Sequence, residues 1–177
     1  LFATGRLLLA LRMAPGRIEL PANYRVSTAP RYPYRGHQIG FRSLSHCYDA
    51  WTPEVYEQYM RELAVFGANG FETTPFEDPD ERDGPHAKVS KGEMAAAWSR
   101  ICEEYGYDLW LFTSALGGTG ESDEELEQTL ERRLAPLRAF PRLDHIYTTG
   151  GDGSSEFSRT LDEHNRAVAR YQKRKIN

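Results

Sequence analysis

Arg42, His46, Asp49 and Trp51 fall within the ten-residue run Arg42-Ser43-Leu44-Ser45-His46-Cys47-Tyr48-Asp49-Ala50-Trp51. A guanidinium, an imidazole, a carboxylate and two rings in so short a span suit a sugar. Charged groups form strong hydrogen bonds to hydroxyls or carboxylates, and rings can lie on the apolar face of a pyranose. A local use competes with this one, in which Asp49 caps the following helix and Trp51 packs ahead of its N-cap. Glu72 stands in the β-rich run Gly70-Phe71-Glu72-Thr73-Thr74, where an inward carboxylate needs a partner or a ligand. Side-chain alternation equally allows it to face out. In Thr149-Gly150-Gly151-Asp152-Gly153-Ser154-Ser155-Glu156, glycines let the backbone turn tightly and approach a ligand, presenting Asp152. The alternative there is a turn whose Asp or Ser caps a helix.

Other chemistries find less to work with. The glycines near Asp152 match neither GxxxxGK[ST] nor GxGxxG, so no phosphate loop is expected. None of the five histidines has another four residues away, and no ligand set has metal-binding spacing, so neither a metal nor another cofactor is expected. Phe76-Glu77-Asp78-Pro79-Asp80-Glu81 reads as a solvated acidic loop. The 22 basic residues are scattered among 26 acidic ones, for a net charge of -4, which argues against nucleic acid as a partner. Lys173-Arg174-Lys175 reads as a solvated helix end. The apolar run Leu7 to Leu11 is far shorter than the roughly 20 residues of a membrane span. Cys47 and Cys102 form no CxxC pair and no disulfide framework; Cys102 reads as a small core residue.

The elements that would position these groups alternate between short β-rich runs and helical periods, the pattern of βα units around a parallel sheet. Strands are expected at 37–42, 70–74, 107–113 and 144–149. A first helix would follow Thr52 as N-cap with Pro53 at its first position, and carry Val55, Tyr59, Leu63 and Phe66 on one face. A second opens on the capping box Ser90 and Glu93, with Met94, Ala97, Trp98, Ile101 and Tyr105 in one stripe. The third repeats the device with Ser122 and Glu125 and bends at Pro136. A fourth is expected near 156–172. Residues 1–35, broken by Pro15, Pro21, Pro30 and Pro33, read as the tail of a small α+β domain plus a linker. Residues 36–177 then form the first four βα units of a (β/α)8 TIM barrel, an α/β fold. Because the first residue is Leu1, the natural start, with any signal peptide, is expected upstream.

The segment Ala29-Pro30-Arg31-Tyr32-Pro33-Tyr34-Arg35-Gly36 resembles the entry to the catalytic barrel of family 20 glycoside hydrolases, the β-N-acetylhexosaminidases. Gly5-Arg6-Leu7-Leu8 and Arg17-Ile18-Glu19-Leu20 look like the end of the small domain before that barrel. Tyr56 to Met60 and Phe66 to Gly70 resemble its first barrel helix and second strand, and Gly150-Gly151-Asp152 resembles the family's GGDE motif. The likeness implies that Arg35 binds a terminal sugar and that Asp152 orients the substrate's acetamido group in substrate-assisted hydrolysis. Gly153 stands where that family has its general acid, and Glu72 and Thr74 stand in the stretch where it has paired histidines.

The run Ser45-His46-Cys47-Tyr48-Asp49-Ala50-Trp51 is also similar to family 67 α-glucuronidases, whose catalytic carboxylates come from later strands. Inversion needs an acid and a base roughly 6.5–9.5 Å apart, and that pair is expected beyond Asn177. Both resemblances imply a fragment of an exo-acting glycosidase with a carbohydrate substrate. Asp152 would be its substrate-orienting residue, and Arg35, Arg42, His46, Asp49, Trp51 and Glu72 would line the sugar pocket. The fragment is expected to be inactive alone, to self-associate through open half-barrel edges, and, by family habit, to be exported. Two alternatives stay open: a noncatalytic carbohydrate-binding barrel that has lost its acid, and a βα barrel of another class such as an isomerase.

Overall fold

The computed structural model describes residues 2–39, 48–76, 78–113, 122–149, 155–158, 160, 162, 163 and 166. It begins with a helix, α1 (Phe2–Ala10), and a hairpin of β1 (Arg12–Ala14) and β2 (Arg17–Glu19). The hairpin turns at Gly16, whose φ of 73° is left-handed, a conformation open to a residue without a β-carbon. An irregular stretch leads to β3 (Gly36–Gln38). A 3-10 turn at Tyr48–Ala50 precedes α2 (Pro53–Val65), which Pro53 starts at the position where a missing N–H costs nothing. There follow β4 (Gly70–Glu72), α3 (Lys91–Tyr105), β5 (Asp108–Phe112) and α4 (Asp123–Leu134). A 3-10 segment, Ala135–Ala139, extends α4, and β6 (His145–Thr149) and β7 (Ser155–Ser158) complete the order.

Local chemistry explains the helix ends. Ser90 Oγ accepts from Glu93 N at 3.2 Å while Glu93 Oε2 accepts from Ser90 N at 2.9 Å, and Gly106 ends α3 at φ 71°. Ser122 and Glu125 close the same reciprocal box on α4. Each box satisfies two amide groups that a bare helix start leaves unpaired. Pro136 cannot donate to the turn before it, and α4 gives way to the 3-10 segment one residue earlier.

Strands β3, β4, β5 and β6 lie side by side in chain order, all parallel, with Gln38, Glu72 and Trp110 in register across the first three. One face of this sheet carries Phe71, Leu109, Leu111 and Ile146 into a core shared with Tyr56 and Met60 of α2 and Met94, Trp98, Ile101 and Cys102 of α3. Trp98 is its centre, its ring 5.2 Å from Tyr56 and 5.8 Å from Phe71. Burying each such ring removes 150 Å² or more of surface from water, on the order of a few kcal/mol. The amino ends of β5 and β6 are clamped by Arg142, which donates to Asp144 Oδ2 and to Asp108 Oδ1, both at 2.9 Å. Asp144 Oδ2 in turn accepts from Leu109 N at 2.8 Å. Among the described residues no helix is long and apolar enough to cross a membrane.

Two expectations need correction. Ser155–Ser158 is not the start of a helix but a strand, antiparallel to β6, with Thr149 opposite Ser155 and Ile146 opposite Ser158. The backbone pairing available along β6 outweighs the weak helical period of that stretch, and among the described residues beyond it Asp162, Glu163 and Arg166 are helical. The described residues therefore show three βα units and a fourth parallel strand that pairs antiparallel with β7. The face of α2 is also turned: Tyr56, Met60 and Ala64 are buried, whereas Val55 is 42% and Phe66 75% exposed. Tyr56 and Met60 reach Trp98 and Tyr107 beneath them, and packing of these larger neighbours sets the rotation.

Candidate functional site

Alternation along the strands decides what is displayed by the face of the sheet that no helix among the described residues covers, called the helix-free face below. With Phe71, Leu109, Leu111 and Ile146 turned to the helices, Gln38, Glu72, Trp110, Phe112, His145 and Tyr147 turn to the other side, and none of them is buried. Glu72 is the centre of this row. Gln38 Nε2 donates to its Oε1 at 2.6 Å, and the Tyr147 hydroxyl donates to the same oxygen. The question of which way Glu72 faces is thus answered by its neighbour Phe71. Burial pushes its carboxyl above the ordinary value, against the opposing pull of the Gln38 hydrogen bond.

Beside Glu72, the Trp110 and His145 rings lie 4.0 Å apart at 35°, and Phe112 and Tyr147 5.1 Å apart. A cleft of about 220 Å³ opens here, bounded by Arg35, Gly36, Gln38, Gly70, Glu72 and Trp110. Its floor is two glycines paired across β3 and β4. A β-carbon on Gly70 would stand 3.4 Å from Gly36 Cα and 3.7 Å from Trp110 Nε1, so any side chain there would crowd the floor and meet the indole.

Arg35 closes the amino end of the cleft and is held rigidly. Its Nε donates to Gly67 O at 2.6 Å, and its Nη1 donates to Tyr32 O at 2.8 Å and Pro33 O at 2.9 Å. Asn69 completes the lock, accepting from Arg35 N and donating to Pro33 O. Three of the five guanidinium hydrogens are used on the backbone, and the remaining edge is the Nη2 edge.

Trp51 makes the contacts that the local alternative expects. Its partly exposed ring stands edge-on to Tyr48, Tyr56 and Tyr59 at 4.9, 5.2 and 5.1 Å and packs against the core. Arg42, His46 and Asp152 lie outside the described residues. Asp49 lies in the 3-10 turn, its side chain outside what is described. The structure therefore brings Arg35 and Glu72 to one cleft. Where the sequence reading expected a helix after the fourth strand, Ser155 begins β7, antiparallel to β6. Gln38, Trp110, His145 and Tyr147 escaped the sequence reading. Projecting the face of Glu72 across the neighbouring strands in steps of two would have found them.

A second polar group sits at the carboxyl end of β4. Thr74 Oγ1 donates to Asp83 Oδ2 at 2.9 Å, and the nearly buried Lys91 Nζ lies 3.3 Å from Glu81 Oε2 and 3.9 Å from Asp83 Oδ1. Arg132 holds Asp78 at 2.8 Å. Together these contacts pin the loop after β4 to α3 and α4. The hollow beside them, lined by Tyr48, Trp51, Asp83 and Lys91, measures about 10 Å³, space for about one water. Among the described residues no group of three or more His, Cys, Asp and Glu is placed to hold a metal ion. Cys102 is a buried thiol whose ionisation burial strongly opposes.

Compared with protein-family models, with curated proteins and with solved structures, the chain finds no match in any of the three.

Proposed function

We propose that the chain is part of a (β/α)8 glycoside hydrolase and that the helix-free face of its sheet is one wall of the sugar pocket. Four parallel strands in chain order, covered by helices on one face, are wound in a single direction. A doubly wound sheet would instead reverse its strand order and place helices on both faces. Single winding is the path that closes into a barrel, whose lumen is the helix-free side.

The observation that carries the functional reading is Glu72 on that side, held by Gln38 and Tyr147 beside the Trp110 ring. A carboxylate and an indole at one cleft match the two surfaces of a pyranose, its hydroxyl rim and its apolar ring face. The resemblances to families 20 and 67 each imply a terminal pyranose, an N-acetylhexosamine in the first and a uronic acid in the second. On this reading a longer protein would hydrolyse a terminal sugar and this chain would supply recognition groups.

Saturation-transfer NMR on the chain with N-acetylglucosamine, glucose and glucuronic acid tests the reading. Binding with a Kd on the order of millimolar and no turnover of aryl glycosides is expected. Absence of binding for every sugar in the panel would sink it.

A further inference from the structure

Both donors that reach Glu72 converge on one oxygen. Gln38 Nε2 and the Tyr147 hydroxyl both donate to Oε1, and among the described residues no hydrogen bond reaches Oε2. Gln38 comes from β3 and Tyr147 from β6, on either side of β4, so the carboxyl group is gripped across the sheet. Such a grip fixes the plane of the group, and with it the direction of the remaining oxygen. A carboxylate left to itself spends side-chain entropy on every ligand it meets; one already held does not.

We infer that Glu72 Oε2 is the acceptor for a hydroxyl group of an uncharged sugar ring seated on the Gly36–Gly70 floor against Trp110, with Tyr147 and Gln38 as its positioning residues. The inference rests on the sugar-pocket reading and adds the contact atom and the kind of group that meets it. That group has to be a donor. A uronic acid carboxylate at Oε2 would set two carboxylates against each other, and such pairs strongly disfavour double ionisation. The glycine floor sets the depth, because a β-carbon at Gly70 would meet Trp110 Nε1 at 3.7 Å and leave less room for a ring between indole and sheet.

Charged groups around Glu72 decide how the contact depends on pH. On β5, Asp108 lies on the same face and is paired with Arg142. On β6, His145 is stacked on Trp110; before β3, Arg35 bounds the cleft. None of the three is hydrogen-bonded to Glu72. The Tyr147 donor favours the ionised carboxylate, so its removal moves ionisation to higher pH.

The test is titration of N-acetylglucosamine into the wild-type chain, E72Q and Y147F, followed by NMR, together with a pH titration of the Glu72 side-chain resonance. Replacing a charged acceptor by a neutral one should weaken binding about tenfold or more. Y147F should bind several-fold more weakly at neutral pH, and both its Glu72 titration and its binding profile should shift upward in pH. A merely structural role for Tyr147 would leave the shape of that profile unmoved. If the wild-type chain binds and E72Q binds equally well, this inference is wrong and the sugar-pocket reading survives. If the wild-type chain binds no sugar, both are overturned. Stronger binding by glucuronic acid that persists in E72Q would also overturn the contact.

Discussion

Gly5 of α1 lies so close to Val65 of α2 that a β-carbon on it would stand 2.6 Å from the Val65 carbonyl oxygen. Backbone touches backbone at this point, and neither side has a flexible end to move. Gly5→Ala is therefore expected to push α1 off α2, at a cost of about 1–3 kcal/mol, partly offset by alanine's better helix propensity. Limited proteolysis should cut the variant between residues 11 and 35 faster than the wild type. An unchanged rate would show that α1 re-seats without loss.

Trp98 joins α3 to α2 and the sheet through Tyr56 and Phe71. Its removal in Trp98→Ala should cost roughly 3–5 kcal/mol, a large part of the stability of a domain this size. Trp98→Phe should cost less, because the indole Nε1 has no hydrogen-bond partner among the described residues and its loss breaks no such bond. Urea unfolding of both variants checks the ranking.

Lys91 is 9% exposed and faces Asp83, itself 12% exposed. Lys91→Met should cost about 3 kcal/mol, because it leaves Asp83 charged and poorly solvated. Adding Asp83→Asn should recover much of that loss while keeping an acceptor for Thr74. Chemical denaturation of the two singles and the double gives the coupling; strict additivity would count against the ion pair.

Glu72 makes stability depend on pH in a definite sense. Its folded carboxyl ionises at higher pH than an unfolded one because burial disfavours the charge. Between the two values the folded chain binds more protons than the unfolded chain, so this group's contribution falls as pH rises through that window. E72Q cannot titrate. Relative to wild type it should gain stability on going from about pH 3.5 to about pH 7, which denaturation at both pH values measures. A difference that stays constant would place Glu72 in solvent.

Features that depend on neighbours in the chain were legible from residue types alone. The boxes Ser90–Glu93 and Ser122–Glu125, the stop at Gly106 and the break before Pro136 are all local chemistry, and they fixed where α3 and α4 begin and where α4 gives way. Parallel pairing in chain order also followed from the alternation of strand and helix periods. What failed was set by tertiary contact. The rotation of α2 depends on Trp98 and Tyr107, far along the chain. Ser155-Glu156-Phe157-Ser158 carries no strong period, so the open edge of β6 decided its state. Within the site, Glu72 was visible as a carboxylate in a strand, but its partner Tyr147 is 75 residues away, and no spacing rule connects them. Arg35 was visible too; the carbonyls of Tyr32, Pro33 and Gly67 that immobilise it were not.

The reversed direction of β7 governs how the sheet can be extended. Its inner edge is consumed by β6 from Ile146 to Thr149. A fifth strand parallel to β6 cannot share that flank while the hairpin stays docked. For the barrel proposed above, this leaves two routes to ring closure. Either the hairpin peels away and β7 acts as a removable cover over the seam, or an incoming strand joins antiparallel to β7 and restores the original polarity one position further out. In the second route the ring is of mixed direction, with an extra stave between its two halves.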